Sequence, residues 1–196
     1  MSTDSGGGGK LDVRELRTET WDDFERVLGR NGGARGCWCM HWRLSIAEFM
    51  ADKGEGNKRA MKELSAREQA PGVLVYAGDE PVAWCALGPR SAFPRLERSP
   101  ILASVDDEPV CAITCIFVHR QHRGAGRLAA VLDAVCDYAA THDYKIVEGY
   151  PVEPRPGRRA GSDTAMTGIA SSFLDAGFTE VARRKSDRPV MRRSVS

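Results

Sequence analysis

The sequence lacks any hydrophobic run long enough to cross a membrane. Its longest largely apolar stretch, Val110 to Val118, has nine residues, whereas a transmembrane helix needs about 20. Residues 1–10 contain four consecutive glycines and no apolar segment, so they are not expected to act as a signal peptide. We expect them to form a flexible tail, followed by a single domain over residues 11–196.

The chain also lacks a dominant charge of either sign. Lysine and arginine total 28 and aspartate and glutamate total 27, which gives a net charge of +1. A strongly basic surface for nucleic acid or for an anionic membrane is therefore not expected. Instead, the balance of 42% hydrophobic and 28% charged residues is typical of a globular domain.

Cysteine is present in six copies, but the pattern does not suit a disulfide framework. Four of the six fall inside predicted strands or a predicted helix, as small core residues do: Cys85, Cys111, Cys115 and Cys136. Because no secretion signal is predicted, we expect a reducing, cytoplasmic location.

An aromatic segment, Gly36-Cys-Trp-Cys-Met-His-Trp-Arg43, follows the first predicted helix. A metal or redox module could use Cys37, Cys39 and His41, but C-x-C-x-H is not a C-x-x-C pattern and no second pair follows. We therefore predict no metal. Aromatic rings and a forked cation suit either a core or an acceptor pocket, and both interpretations stay open. The candidate acceptor residues are Trp38, Trp42, Arg43 and Trp84.

The chemically most informative stretch is the apolar strand Val110 to Val118 with the loop and helix that follow it. The loop, Arg120-Gln-His-Arg-Gly-Ala-Gly-Arg127, is basic and carries two glycines. Apolar residues then recur at helical spacing from Leu128 to Ala139. Glycines at the start of a helix let backbone N–H groups approach a ligand, and the helix dipole favours an anion there. The stretch therefore predicts a site for a phosphate-bearing ligand.

A dinucleotide site is a second interpretation of this loop. Gly124-Ala-Gly-Arg-Leu-Ala129 fits G-x-G-x-x-G/A, and Glu148 follows about twenty residues later. However, five residues separate the strand from the first glycine, and only 48 residues follow Glu148. A predicted hairpin also precedes the motif, where a dinucleotide fold has βαβ units. No Lys-Ser/Thr follows the glycines, which argues against a P-loop.

Hydrophobic patterning gives the order of the remaining elements. It predicts a strand over 11–17, helices over 21–28, 45–56 and 57–69, a hairpin over 73–77 and 82–87, an irregular segment over 90–107, a parallel strand over 145–150, a flexible basic loop over 151–163, a helix over 164–176 and a hairpin over 178–182 and 189–193. The loop over 151–163 is either solvated or a lid over a ligand.

This order resembles the GNAT superfamily of acyl-CoA-dependent acyltransferases over residues 11–195. Gln121-His-Arg-Gly-Ala-Gly126 is similar to the family's Q/R-x-x-G-x-G/A pyrophosphate loop. Ala170-Ser-Ser-Phe-Leu-Asp-Ala-Gly-Phe178 is similar to its A-x-x-x-Y-x-x-x-G-F ending. Gly36 to Arg43 and Val147-Glu-Gly-Tyr-Pro151 look like segments of a bacterial subgroup of unknown acceptor. The resemblance implies an α/β GNAT fold, with a mixed, mostly antiparallel sheet, one βαβ crossover and helices on both faces.

The resemblance also implies N-acetyl transfer from acetyl-CoA to an amine by direct attack on the thioester. The non-catalytic alternative is an acyl-CoA-binding or regulatory module with the same fold. The acceptor stays open between a small amine, an aminoglycoside-like compound, a protein lysine and an aminoacyl-tRNA, and so does a homodimer. The implied cofactor contacts are Ile116, Phe117 and Val118 on the strand and Gln121, His122, Arg123, Gly124, Ala125, Gly126 and Arg127 in the loop.

Three residues are candidates for catalysis. Glu148 is the acid best placed to serve as general base, unless it only forms a charge pair at the strand end. The family often has a tyrosine that acts as general acid where this chain has Phe173. Tyr150 is the substitute proton donor, or the thiolate leaves without a proton donor. Cys115 is a candidate nucleophile, although a buried strand cysteine is usually inert.

Overall fold

A seven-stranded sheet in the order β1-β2-β3-β4-β5-β7-β6 forms the centre of the fold. The computed structural model describes residues 10–124, 126–155, 157, 161 and 165–196, so the tail predicted for residues 1–10 lies, except for Lys10, outside the described residues. The strands are β1 (Leu11–Glu15), β2 (Gly72–Ala77), β3 (Glu80–Pro89), β4 (Cys111–Val118), β5 (Ile146–Gly149), β6 (Thr179–Lys185) and β7 (Arg188–Ser194).

Every neighbouring pair of strands is antiparallel except β4 and β5. The parallel pair is joined through one long helix, which is the βαβ crossover predicted from the sequence. The prediction of a mixed, mostly antiparallel sheet is thereby confirmed.

Helices cover both faces of the sheet. Among the described residues they are α1 (Trp21–Leu28), α2 (Ile46–Ala51), α3 (Glu55–Ser65), α4 (Pro94–Glu97), α5 (Arg127–Ala140) and α6 (Ala170–Asp175). The apolar stripe of α5 packs with α6 in one core cluster. Trp21 and Phe24 of α1 and Met61 of α3 pack in a second cluster. None of the described helices is long and apolar enough to span a bilayer.

The segment over 90–107, predicted to be irregular, contains a 3-10 turn at Arg90–Ala92 and the short helix α4. Its side chains Phe93, Leu96 and Leu102 are fully buried against the sheet. This corrects the prediction, because Pro94 at the start of α4 supplies a helical φ without needing an N–H partner.

The helix predicted over 164–176 is shorter in the structure. A 3-10 turn at Ala165–Thr167 precedes α6, and Gly168 separates the two with a φ of +88°. A left-handed glycine cannot continue a right-handed helix, so the chain turns there and lies beside the end of β4.

Candidate active site

The sheet opens where β5 stops pairing with β4. β5 pairs with Cys111 to Ile113 only, whereas β3 follows β4 as far as Val118. Thr114 is the extra residue of a β-bulge, since Ala86 faces Cys115 and Leu87 faces Ile113. In the described part of the chain, the β5-facing edge of β4 therefore has no strand partner beyond Ile113.

A groove of about 610 Å³ lies along this open edge. Its wall is apolar along Ile116 and Leu128, and Ile169 faces them from the segment before α6. Arg123 and Arg127 lie at its glycine-loop end. The structure brings six of the predicted cofactor residues to this groove: Ile116, Phe117, Val118, Arg123, Gly124 and Arg127.

The glycine loop leaves room for a ligand. Gly124 and Gly126 have φ values of +97° and +72°, and an added Cβ at either would have no atom within 4 Å. Arg123 is fixed beside the loop, since its Nε donates to the carbonyl oxygen of Val118 at 2.9 Å and its guanidinium lies over the Phe117 ring. α5 begins at Arg127, so its N-terminus lies at the groove. This geometry suits a phosphate group.

Among the described loop residues, Gln121, His122 and Gly126 do not line the groove. Gln121 is exposed to solvent, and His122 Nε2 lies 3.1 Å from the carboxylate of Glu80. Gly126 caps the start of α5. Ala125 lies outside the described residues.

Glu148 and Tyr150 form a buried charged cluster with two arginines. Arg192 Nε donates to Glu148 Oε2 at 2.7 Å, and Arg90 Nη1 donates to Glu148 Oε1 at 3.1 Å. The hydroxyl of Tyr150 donates to Glu148 Oε1 and accepts from Arg90 Nη1 at 2.9 Å. Glu148 is only 1% exposed. Arg192 also binds both carboxylate oxygens of Asp106.

This cluster does not line the groove. Both oxygens of Glu148 accept hydrogen bonds from arginine, and the carboxylate is buried. Burial and the adjacent carboxylate raise the pKa of Tyr150 well above its usual value. The geometry favours the charge-pair interpretation of Glu148, and its role as a base stays a prediction. Arg192 is itself largely buried.

A second cavity of about 240 Å³ adjoins the groove, because Ala34, Arg35 and Met166 line both. Trp42 lies in its wall. Its lining includes Arg35, Lys53 and Arg188, for which the sequence predicted no role in a site, and His41, which the sequence suggested only as a metal ligand. These four residues come from three separate segments, since Arg35 and His41 both lie between α1 and α2, so no local motif links all of them.

A comparison of the sequence with protein families shows the family of the chain. Residues 38–154, more than half of the chain, match the acetyltransferase (GNAT) family. The chain belongs to the GNAT family. No curated protein is significantly similar to this GNAT chain in sequence.

Solved structures agree on the fold of this GNAT protein. The aminoglycoside N(6')acetyltransferase from Legionella pneumophila has 13% sequence identity and a TM-score of 0.54, over 96% of this chain and 94% of that one. The GNAT domain of S. lividans PAT has 14% identity and a TM-score of 0.53, over 96% and 92%. The ribosomal-protein-S18-alanine N-acetyltransferase from Escherichia coli has 11% identity and a TM-score of 0.51, over 95% and 94%.

Phe173, which replaces the tyrosine often found in GNAT proteins, is fully buried. A Cβ added at Gly149 would lie 2.2 Å from its Cε1 atom, and one at Gly168 would lie 2.5 Å from its Cε2 atom. The ring thus fills the space left by two glycines and packs edge-on against Phe178. It supplies no hydroxyl for proton transfer.

Cys115 faces the core of the GNAT domain, not the groove. It is 4% exposed, and its Sγ lies 3.2 Å from Cys39 Sγ, which also accepts from Trp84 Nε1 at 3.1 Å. A nucleophile must reach the thioester, so this burial gives no support to the predicted role of Cys115.

Of the four predicted acceptor residues, only Trp42 lines a cavity. Trp38 is 4% exposed and stacks on Trp21, while Trp84 is fully buried. The Arg43 guanidinium donates to the carbonyl oxygen of Pro71 at 2.6 Å, and burial lowers its pKa to about 10. The contacts of Trp38, Arg43 and Trp84 favour the core interpretation, and their role in binding the acceptor stays a prediction.

Two further sequence predictions concern a metal site and a lid over the ligand. In the described part of the chain, no group of three or more His, Cys, Asp or Glu side chains could hold a metal ion. Much of the predicted lid over 151–163 lies outside the described residues.

Proposed function

We propose that this GNAT protein is an N-acetyltransferase that transfers the acetyl group of acetyl-CoA to an amine. The observation that carries the proposal is the groove along the open edge of β4, which ends in a cationic glycine loop. A long ligand with an apolar arm at one end and phosphates at the other matches that distribution of surface.

The donor groove divides into two functional parts. Arg123, Gly124 and Arg127 with the N-terminus of α5 would hold the pyrophosphate. The open strand edge at Ile116 to Val118 would pair with the pantetheine amides, since unpaired backbone groups need partners. Acetyl-CoA supplies the acetyl group as a thioester with a good leaving group.

Proton transfer needs little help from the described side chains. A thiolate is a good leaving group, and this suits a site where Phe173 replaces a tyrosine. The acceptor must arrive as a neutral amine, because an ammonium group has no lone pair for attack. Glu148 contacts Arg192 of β7, and both Glu148 and Tyr150 contact Arg90 in the segment after β3. We therefore assign Glu148 and Tyr150 a positioning role.

A second candidate function is an acyl-CoA-binding module without turnover. The observation that favours it is the absence of a hydroxyl at Phe173, together with the engagement of both Glu148 oxygens. Two of the three neighbours named above act on an aminoglycoside and on a ribosomal-protein alanine, so the shared fold leaves the acceptor open. We also propose a cytoplasmic location, because six unpaired cysteines suit a reducing compartment.

The test combines binding of acetyl-CoA with release of free CoA thiol across a broad amine panel, with product mass as confirmation. We expect amine-dependent thiol release that Arg127→Gln lowers about tenfold or more through weaker donor binding. Arg120→Gln is the matched control, because Arg120 belongs to the same loop but does not line the groove. Binding without turnover would favour the module, and absence of binding would overturn both functions.

A further inference from the structure

The smaller cavity beside the groove is cationic. Arg35, Lys53 and Arg188 line it, and no carboxylate is found among its described lining residues. The charges of Lys53 and Arg188 beside a cavity of about 240 Å³ create a positive potential that attracts anions. The neighbouring groove ends in arginines of its own, but those lie at the phosphate end of the donor site.

Arg188 is fixed in place without an acidic partner. Its Nη1 donates to the carbonyl oxygen of Tyr150 at 3.1 Å and to Thr167 Oγ1 at 2.7 Å. Within the described residues, no carboxylate lies within ion-pair distance of Arg188 or Lys53. The adjacent Asp187 pairs with Lys185 at 3.0 Å. Asp187 acts on Arg188 only through its nearby charge. A partly buried guanidinium that no carboxylate contacts is costly, so the fold keeps a charge here that a ligand can neutralise.

His41 adds a neutral donor to the same wall. Arg95 Nη1 lies 3.2 Å from His41 Nδ1. Because arginine only donates, Nδ1 accepts, and the neutral ring carries its proton on Nε2. Burial, followed by the charges of Arg95, Arg188 and Lys53, lowers the pKa of His41 to about 4. The ring thus contributes a donor and no acceptor at neutral pH.

We infer that the acceptor is a small amine that also carries a carboxylate or phosphate, and that its anionic group binds in this cavity. The inference rests on the proposed acetyltransferase function and names the substrate class for that site. A cavity of about 240 Å³ admits a group of amino-acid size. Its charge disfavours polycations such as aminoglycosides and lysine-rich segments, which would meet like charges at close range.

The same cations also assist the chemistry. A positive potential disfavours the ammonium form of the acceptor and favours the free amine. The anionic group of the acceptor offsets part of the repulsion and fixes the molecule, while its amine lies towards the shared wall at Ala34, Arg35 and Met166. No dedicated base is then required beside the thioester.

Matched ligand pairs test the cavity by ligand-observed NMR in the presence of CoA. The pairs are amino acids with their carboxamides, such as phenylalanine and phenylalaninamide, and phosphoethanolamine with ethanolamine. The first pair tests the carboxylate and the second the phosphate, while spermidine and kanamycin serve as polycations. We expect the preferred anionic member to bind at least about tenfold more tightly than its partner that lacks the anionic group.

Two lysines provide a matched pair of variants. Lys53 Nζ lies 5.5 Å from the Phe49 ring centroid and Lys62 Nζ lies 5.6 Å from that of Trp21, but only Lys53 lines the cavity. Lys53→Gln should weaken anion binding about threefold, and Lys62→Gln should leave it unchanged although net charge falls equally. Arg188→Gln should weaken it about tenfold or more.

Three outcomes would overturn the inference: no anionic member binds, the partners without an anionic group bind equally well, or the two lysine variants behave alike. Thiol release measured on the same panel separates this from the proposed function. Anion binding without thiol release keeps the cavity assignment and overturns the acetyltransferase. Turnover of amines that lack an anionic group, with no preference for the anionic members, overturns the cavity assignment and supports the acetyltransferase.

Discussion

Glu148 shows how one side chain can look catalytic in sequence and structural in the fold. A carboxylate within an apolar strand must either act chemically or find cationic partners. Here it has two, and Arg192 is its direct cross-strand neighbour on β7. The cluster therefore ties the segment after β3, through Arg90, to the two strands that border the site.

The first prediction follows from that burial. Glu148→Gln should lower the free energy of unfolding by about 3 kcal/mol, because it leaves two guanidinium groups without their shared anion. Glu97→Gln is the control, since Glu97 Oε1 lies 2.7 Å from Arg90 Nε but is about half exposed, and its loss should cost less than about 1 kcal/mol. Urea denaturation of both variants measures the difference.

Activity separates the two interpretations of Glu148 further. If it were the general base, Glu148→Gln would abolish the acidic limb of the pH profile of kcat/KM under conditions where the variant is folded. We expect that limb to survive, since the carboxylate is enclosed by arginine.

The second prediction concerns His41 and pH. Its pKa is about 4 in the folded chain, and the ordinary value is 6.5. Between these values the unfolded chain binds more protons, so the free energy of unfolding falls as pH drops from 6.5 to 4. We expect this residue to account for about 2 kcal/mol of that loss, allowing for the partial exposure of its ring.

The measurement compares wild type with His41→Asn by denaturation at pH 7 and pH 4.5. Asparagine keeps an oxygen that can accept from Arg95 but does not titrate. The variant should lose less stability on acidification than wild type does. An equal loss in both proteins would show that His41 does not titrate far below its ordinary range.

At the scale of elements, the strand, glycine loop and helix from β4 to α5 form the part of the site that local sequence specifies. The apolar strand, the loop glycines and the helical pattern are contiguous in the sequence. The structure places residues from all three along one groove. The third prediction is that Gly124→Glu lowers the affinity for CoA by at least about tenfold, because it brings a negative side chain to the phosphates.

Gly78→Glu controls for backbone strain in this test. Gly78 lies between β2 and β3 with a φ of +61°, and an added Cβ there also meets no atom within 4 Å. Both substitutions should cost about 1–2 kcal/mol of stability, but only the one at Gly124 should affect CoA binding in an equilibrium titration. Equal CoA affinity in the two variants would remove the loop from the donor site.

Elements distant in sequence could not be predicted in the same way. Arg192 lies 44 residues from Glu148, and Arg90 lies 58 residues from it, so no spacing rule reveals their contact. Trp84 and Trp38 fitted a pocket or a core equally well, because aromatic side chains suit both. Arg35, Lys53 and Arg188 meet only through tertiary folding. Glu148 is the exception to this limit, because a carboxylate in a buried strand needs a cationic partner.

At the scale of the whole molecule, the reactivity of the six cysteines measures whether the cores on both faces of the sheet are packed. Cys85, Cys111 and Cys136 lie in the core under α5, whereas Cys37, Cys39 and Cys115 lie in the core under α1. All six are free and buried. Their positions mean that no thiol can be exposed without opening one of the two cores.

The fourth prediction is that alkylation at pH 8 follows global unfolding. Burial raises the pKa of Cys111 and Cys136 to about 12 and that of Cys37 to about 11. Even Cys37 would then be a thiolate in only about one molecule in a thousand, and the thiolate is the reactive form. Mass spectrometry should show folded protein with almost no label, and denaturant should lead to labelling of all six thiols together. Rapid native labelling of Cys115 alone would contradict this result and would revive its assignment as a nucleophile.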